Sequence, residues 1–289
     1  MESLISAMLS LQSGSFIDIV RMGKMKTFIA GVMVFFISHG AFSCESLSKN
    51  TLDALSSRLK SYVHTGETTS RIDFNVVPQA CKRWSHAQRK TIVVKPYYQY
   101  TELGDADDDV HFGMLVAVVD DFDGSVVSIF NEQKMMIVDA VEPREVIIDT
   151  ANYRINSSKF AFGVRVYRAN SSRAGSIEEE VMNMYVTSDA GLRRIVRGLL
   201  LDSNIGESVD DCVYSGVRRA VYIAMDKNKS NGYFDMVVRE KTKRERSVEI
   251  NGICKRLREN MNVKRHVLQF NGDFYRIPES LQAENGLIL

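Results

Sequence analysis

The sequence predicts a mainly β protein: an antiparallel meander of hairpins, sandwich or propeller-like, preceded by one N-terminal helix. Three observations carry that expectation. From Phe74 onward, short runs rich in β-branched and aromatic residues alternate with clusters of Asp, Asn, Gly and Ser. Between the runs lie Asp121-Phe122-Asp123-Gly124 and Asn271-Gly272-Asp273, hairpin chemistry that supplies residues tolerant of positive φ. No helical pattern is long enough for repeated βαβ crossovers, which argues against a doubly wound nucleotide-binding fold.

The first element in chain order is not part of the globule. Lys24-Met25-Lys26 is a basic start, Thr27 to Ile37 is apolar, and His39-Gly40-Ala41-Phe42-Ser43-Cys44 presents a small-x-small cleavage site. An apolar run of about a dozen residues is too short to cross about 30 Å of hydrocarbon. Residues 1–43 are therefore expected to be a signal peptide cleaved after Ser43, with translation starting at Met25. The mature chain, 44–289, is expected to carry no transmembrane segment and to form a single β-rich domain, with a possible seam at 201–211. Its composition is that of an ordinary globular protein, 45% hydrophobic and 25% charged. The formal charge of +1 gives no global reason to expect nucleic acid as a partner.

Ser46 to His64 reads as a helix that covers a sheet, because Leu52, Leu55, Leu59 and Val63 recur every three or four positions. Strands are expected at Thr91 to Tyr100, Phe112 to Asp120, Ser125 to Phe130, Lys134 to Val141, Glu145 to Thr150 and Phe160 to Tyr167. Further strands are expected at Val181 to Val186, Arg193 to Leu201, Arg218 to Met225, Tyr233 to Glu240, Glu245 to Ile250 and Lys264 to Phe270. Phe160 to Tyr167 and Arg265 to Phe270 alternate as half-buried antiparallel strands do.

Four cysteines, Cys44, Cys81, Cys212 and Cys254, all follow the cleavage site and suit two disulfides in an oxidising compartment. Three pairings are possible. The local one, Cys44 with Cys81 and Cys212 with Cys254, closes loops of about 37 and 42 residues, each worth roughly 3 to 4 kcal/mol. Lipidation of Cys44 is the competing use, but a lipobox wants Leu where Ala41 stands, and it would strand one thiol. Zinc is disfavoured because no CxxC spacing occurs.

Motifs for catalysis are missing: there is no G-x-S-x-G elbow and no HExxH. A carboxylate pair for glycoside hydrolysis is a tertiary feature that sequence does not report. No cofactor is expected, with calcium the one ion for which ligands present themselves. The acidic run Gly104-Asp105-Ala106-Asp107-Asp108-Asp109 lacks the spacing of a calcium loop. Asp226, Asn228, Ser230 and Asp235 are better spaced, though turn composition favours a polar hairpin loop there. A basic run, Arg239, Lys241, Lys243, Arg244 and Arg246, followed by Lys255, Arg256 and Arg258, could bind a protein or an anionic polymer.

Two resemblances accompany these residues. Asp226 to Asp235 resembles the D-x-D-x-D-G-x-x-D calcium loops of integrin-type propeller repeats, with one extra residue before Asp235 and Ser and Asn in place of carboxylates. Phe160 to Val166 leading to Ser171-Ser172-Arg173, and Asn231 to Val238, resemble segments of exported bacterial β-rich proteins over Leu115 to Pro278. That resemblance implies export and a β-rich body. The function expected is that of an exported periplasmic protein, a non-enzymatic binding protein such as an immunity protein that occludes a toxin. The alternatives are a hydrolase of cell-wall or extracellular polymer and a calcium-stabilised structural module.

Overall fold

The computed structural model describes residues 44, 49–63, 70–101, 109–172, 174–257 and 259–283. The expected signal peptide, most of the acidic run at 105–109, His64 and Arg258 lie outside them, and the side chains of Leu52, Leu59 and Val63 are not described. The helix forms as expected, α1 at Lys49–Val63. Five strands build a first sheet: β1 Ser70–Asp73, β2 Ala80–Arg83, β3 Lys90–Thr101, β4 Asp109–Asp120 and β5 Val126–Ile137. Strands β3, β4 and β5 are consecutive antiparallel neighbours, and β1 and β2 pair with opposite ends of β3. Eight more strands form a second sheet: β6 Glu142–Arg154, β7 Phe160–Ala169, β8 Gly175–Ser188, β9 Gly191–Ser208, β10 Tyr214–Ser230, β11 Tyr233–Ile250, β12 Ile253–Leu257 and β13 Met261–Leu268. From β6 to β11 every strand pairs with its successor, while β12 and β13 follow one another along the free side of β11.

Alternation explains the layering. In β3 and β4 the even-numbered Ile92, Val94, Phe112, Met114, Val116 and Val118 enter a core shared with Val146, Ile148, Phe162, Val164, Val166 and Tyr185 of the second sheet. The odd-numbered Val93, Tyr97, Leu115, Ala117 and Val119 face the other way and pack with Leu55 of α1. The first sheet is thus covered on both sides, which is why its strands read as nearly continuous apolar runs. The first half of strand β7 is also buried on both faces, since Ala161 joins a second core with Met182, Met184, Ile195, Leu199, Met236, Val238, Phe270 and Tyr275. The half-buried alternation expected for Phe160 to Tyr167 holds from Val164 onward, where Arg165 and Tyr167 are partly exposed, and gives way at Ala161 and Gly163 because the second sheet curls back on itself. The Phe234 amide at the start of β11 donates to the Ile155 carbonyl just after β6, at 2.7 Å.

Both disulfides take the local pairing, Cys44–Cys81 with Cα atoms 5.2 Å apart and Cys212–Cys254 with Cα atoms 5.3 Å apart. The first ties the approach to α1 onto β2, and it occupies the thiol that a lipid anchor would need. The second clips the β9–β10 loop to β12. Stretch 201–211, where the sequence offered a seam, is for most of its length the second half of β9, hydrogen-bonded to β8 and β10. Two hairpins close on Asn-Gly pairs in the left-handed region, Asn231 and Gly232 at φ 48° and 84°, and Asn251 and Gly252 at 54° and 74°. Paired positive φ is what a two-residue turn matched to strand twist requires.

Candidate binding face

Residues directly opposite in an antiparallel ladder share a face, so the register of β8 to β13 sorts their side chains without ambiguity. One row runs Glu178, Asn204, Arg218, Lys243, Met261 across five strands. The next runs Glu180, Asp202, Ala220, Lys241, Val263, and beyond it lie Tyr222, Arg239, Arg265 and then Ala224, Val237, Val267. This face is acidic on β8 and β9 and basic on β10, β11 and β13. Its exposed apolar side chains are Tyr222 at 56%, Met261 at 59%, Val263 at 55% and Val267 at 40%.

The expected basic patch is divided by the same alternation. Arg239, Lys241 and Lys243 lie on this face, whereas Arg244 and Arg246 point to the opposite one, beside Val217 and Leu257. Lys255 shares the Arg244 face and Arg256 the Lys243 face. Lys243 is held by Glu245 at 2.8 Å, and Arg256 approaches the same carboxylate at 3.4 Å. Among the described residues, Arg239 and Lys241 have no carboxylate partner. The ammonium of Lys241 instead sits 4.9 Å from the centroid of the Tyr222 ring, a cation–π contact.

The opposite face carries the buried polar groups. Arg168 donates from Nε and Nη2 to Glu179 Oε2, at 2.8 and 2.5 Å. Glu240 is paired with Arg219 at 3.2 Å and His266 at 3.1 Å, and the Arg219 guanidinium also donates to the Ser280 carbonyl of the C-terminal segment.

The acidic half of the candidate face opens into a groove of about 400 Å³ lined by Tyr153, Arg165, Glu180, Asp202 and Tyr222 among others. Arg165 bridges Asp149 and Glu180, the latter at 3.0 Å. Burial would raise the Asp149 carboxyl, but hydrogen bonds from Tyr153, Arg165 and the Ala151 amide hold it below the ordinary range. Burial pushes the Asp202 carboxyl up, opposed by Arg218 and reinforced by Glu178. Elsewhere, burial raises Glu132, which lies between the sheets against Arg194 and accepts from the Tyr185 hydroxyl at 2.8 Å.

The calcium candidates are distributed along a hairpin. Asp226, Asn228 and Ser230 belong to β10, which bulges between Met225 and Lys229 before the Asn231-Gly232 turn, and Asp235 lies on β11. Asp226 accepts from the Lys227 amide and lies 3.7 Å from Arg265. Asp235 is buried. Among the described residues, no three His, Cys, Asp or Glu side chains are grouped to hold a metal ion, and no helix is long and apolar enough to cross a membrane.

Sequence reading located Arg239, Lys241 and Lys243 but missed Tyr222, Met261, Val263 and the Glu180–Asp202 opposition. The spacing Met261-x-Val263-x-Arg265-x-Val267 was the available signal for part of this, a strand with one mixed apolar and basic side. No protein-family model matches the chain, and no curated protein and no solved structure is significantly similar to it.

Proposed function

We propose that the chain is an exported, non-enzymatic binding protein that engages its partner through the face of β10, β11 and β13. The observation that supports it is the side-by-side placement of cations without carboxylate partners, Arg239 and Lys241, and exposed Tyr222, Met261, Val263 and Val267. Exposed apolar side chains set among cations are what a protein uses when another surface will cover them. Two disulfides suit the periplasm or the extracellular space. Occlusion of a toxin by an immunity-type protein is one activity of this kind. Capture from periplasmic extract on immobilised wild type and Arg239→Glu/Lys241→Glu tests the proposal. One species retained by the wild type, released by salt and lost with the variant, is expected; identical retention by both proteins would remove the face from consideration.

The groove supports a second reading, a hydrolase of cell-wall or extracellular polymer. Glu180 and Asp202 are directly opposed on adjacent strands, which sets their Cβ atoms about 4.5 to 5.5 Å apart. That is compatible with the carboxyl separations of about 5 to 9.5 Å used in glycoside hydrolysis. In this reading Asp202, raised by burial, is the proton donor and Glu180 its partner. Turnover of peptidoglycan or polysaccharide that vanishes in both Asp202→Asn and Glu180→Gln is the expected result. Turnover unaltered by either substitution excludes this groove.

A further inference from the structure

Among the described residues β13 pairs only with β11, so its outer row of backbone donors and acceptors forms a sheet edge. Such an edge is a template for another strand unless it is blunted. Lys264, opposite Glu240, and Arg265, half-exposed and 3.7 Å from Asp226, are the charges that would blunt it, yet Met261, Val263 and Val267 on the same strand stand 59%, 55% and 40% exposed. A strand protected only against association has no reason to present three apolar side chains beside two cations. A second copy of this chain is disfavoured, because it would bring Lys264 and Arg265 against the same cations. A bilayer is disfavoured too: Met261 and Val263 are flanked across the ladder by Lys243 and Lys241, so no continuous apolar patch exists to enter hydrocarbon.

We propose that β13 receives an extended acidic strand of a partner protein, added antiparallel to its free edge. This rests on the binding reading above and names the partner's chemistry. Strand addition derives affinity from main-chain hydrogen bonds and specificity from alternate side chains. Read along the partner, the positions opposite Val267, Arg265, Lys264, Val263 and Met261 call for an apolar residue, two adjacent carboxylates and two more apolar residues separated by one position. A peptide of sequence Val-Thr-Glu-Glu-Val-Thr-Val, acetylated, amidated and fluorescently labelled, meets that requirement.

The test titrates the full folded chain against this peptide by fluorescence anisotropy and follows β13 amide exchange. Binding is expected to slow exchange in β13, to weaken at least tenfold in Lys264→Glu/Arg265→Glu, and to return in that variant when lysines replace the two glutamates of the peptide. Equal affinity for a peptide N-methylated at alternate amides would overturn strand addition, as would binding without protection of β13. Should polyglutamate bind and Arg239→Glu/Lys241→Glu abolish it while the strand peptide fails, the basic face survives and the edge proposal falls. Capture by phosphatidylglycerol vesicles but not by the peptide would replace the protein strand with a lipid surface.

Discussion

Replacing Arg168 by methionine should destabilise the protein by about 3 to 5 kcal/mol, the usual cost of leaving one member of a buried ion pair behind. Arg168 is 1% exposed and Glu179 3%, and two guanidinium nitrogens meet one carboxylate oxygen at 2.8 and 2.5 Å. The pair is also a direct cross-strand opposition of β7 and β8, where the β8–β9 register shifts at the neighbouring Glu180 and Val181. With the guanidinium gone, Glu179 must stay charged in a dry site or take up a proton, and both options cost energy. Removing both charges is a different perturbation. Arg168→Met/Glu179→Leu should fall within about 1 kcal/mol of the parent or exceed it, because a well-packed apolar pair escapes the desolvation penalty. In a domain of this size the single variant's loss corresponds to roughly 6 to 20 °C in Tm. Urea unfolding followed by the fluorescence of the only tryptophan, buried Trp84 against Phe162, reports it. A loss below about 1 kcal/mol for Arg168→Met, or a double variant as unstable as the single one, would refute the reasoning.

Further outcomes follow from the same geometry. The folded-state pKa of Asp149 is depressed, so its contribution is complete above the ordinary aspartate range and lost as pH falls; the stability gap between parent and Asp149→Asn should be full at neutral pH and narrow below about pH 4 in urea titrations. Cys212→Ser/Cys254→Ser opens a loop with a sequence separation of 42 and should cost about 4 kcal/mol by calorimetry, without changing the far-UV signature of the sheets. Gly232 sits at φ 84°, so Gly232→Ala should cost about 1 kcal/mol in denaturant midpoint, and an unaltered midpoint would mean that the turn had rearranged.

How far the sequence foretold this molecule depended on how local each determinant is. The Asp121-to-Gly124 turn and the helix α1 are local, and both form where the residues place them. Strand β11 was expected as two strands broken at Lys241 to Arg244; pairing with β10 along all four residues, and with β13 from Lys241 to Lys243, keeps them extended. Strand β5 was likewise divided between Phe130 and Lys134. The physical reason is a bulge: Lys134 adopts φ 47° and the register to β4 slips there, so the alternation breaks while the strand continues. Strands β1, β2 and β12 went unseen, being only four or five residues long and rich in charge. A linear run of basic residues said nothing of sides, and strand geometry sends Arg244 away from Lys243. The Glu180–Asp202 opposition lay outside reach altogether, since register between two strands is set by the whole meander.

The binding face is tested most directly by two charge reversals on one strand, Arg239→Glu/Lys241→Glu and Arg244→Glu/Arg246→Glu. They change net charge equally but stand on opposite sides of β11. Affinity for polyglutamate at low salt, measured calorimetrically, should fall at least tenfold in the first variant and less than twofold in the second. Equal losses in both would show that only total charge matters, and the account of a sided binding surface would be wrong.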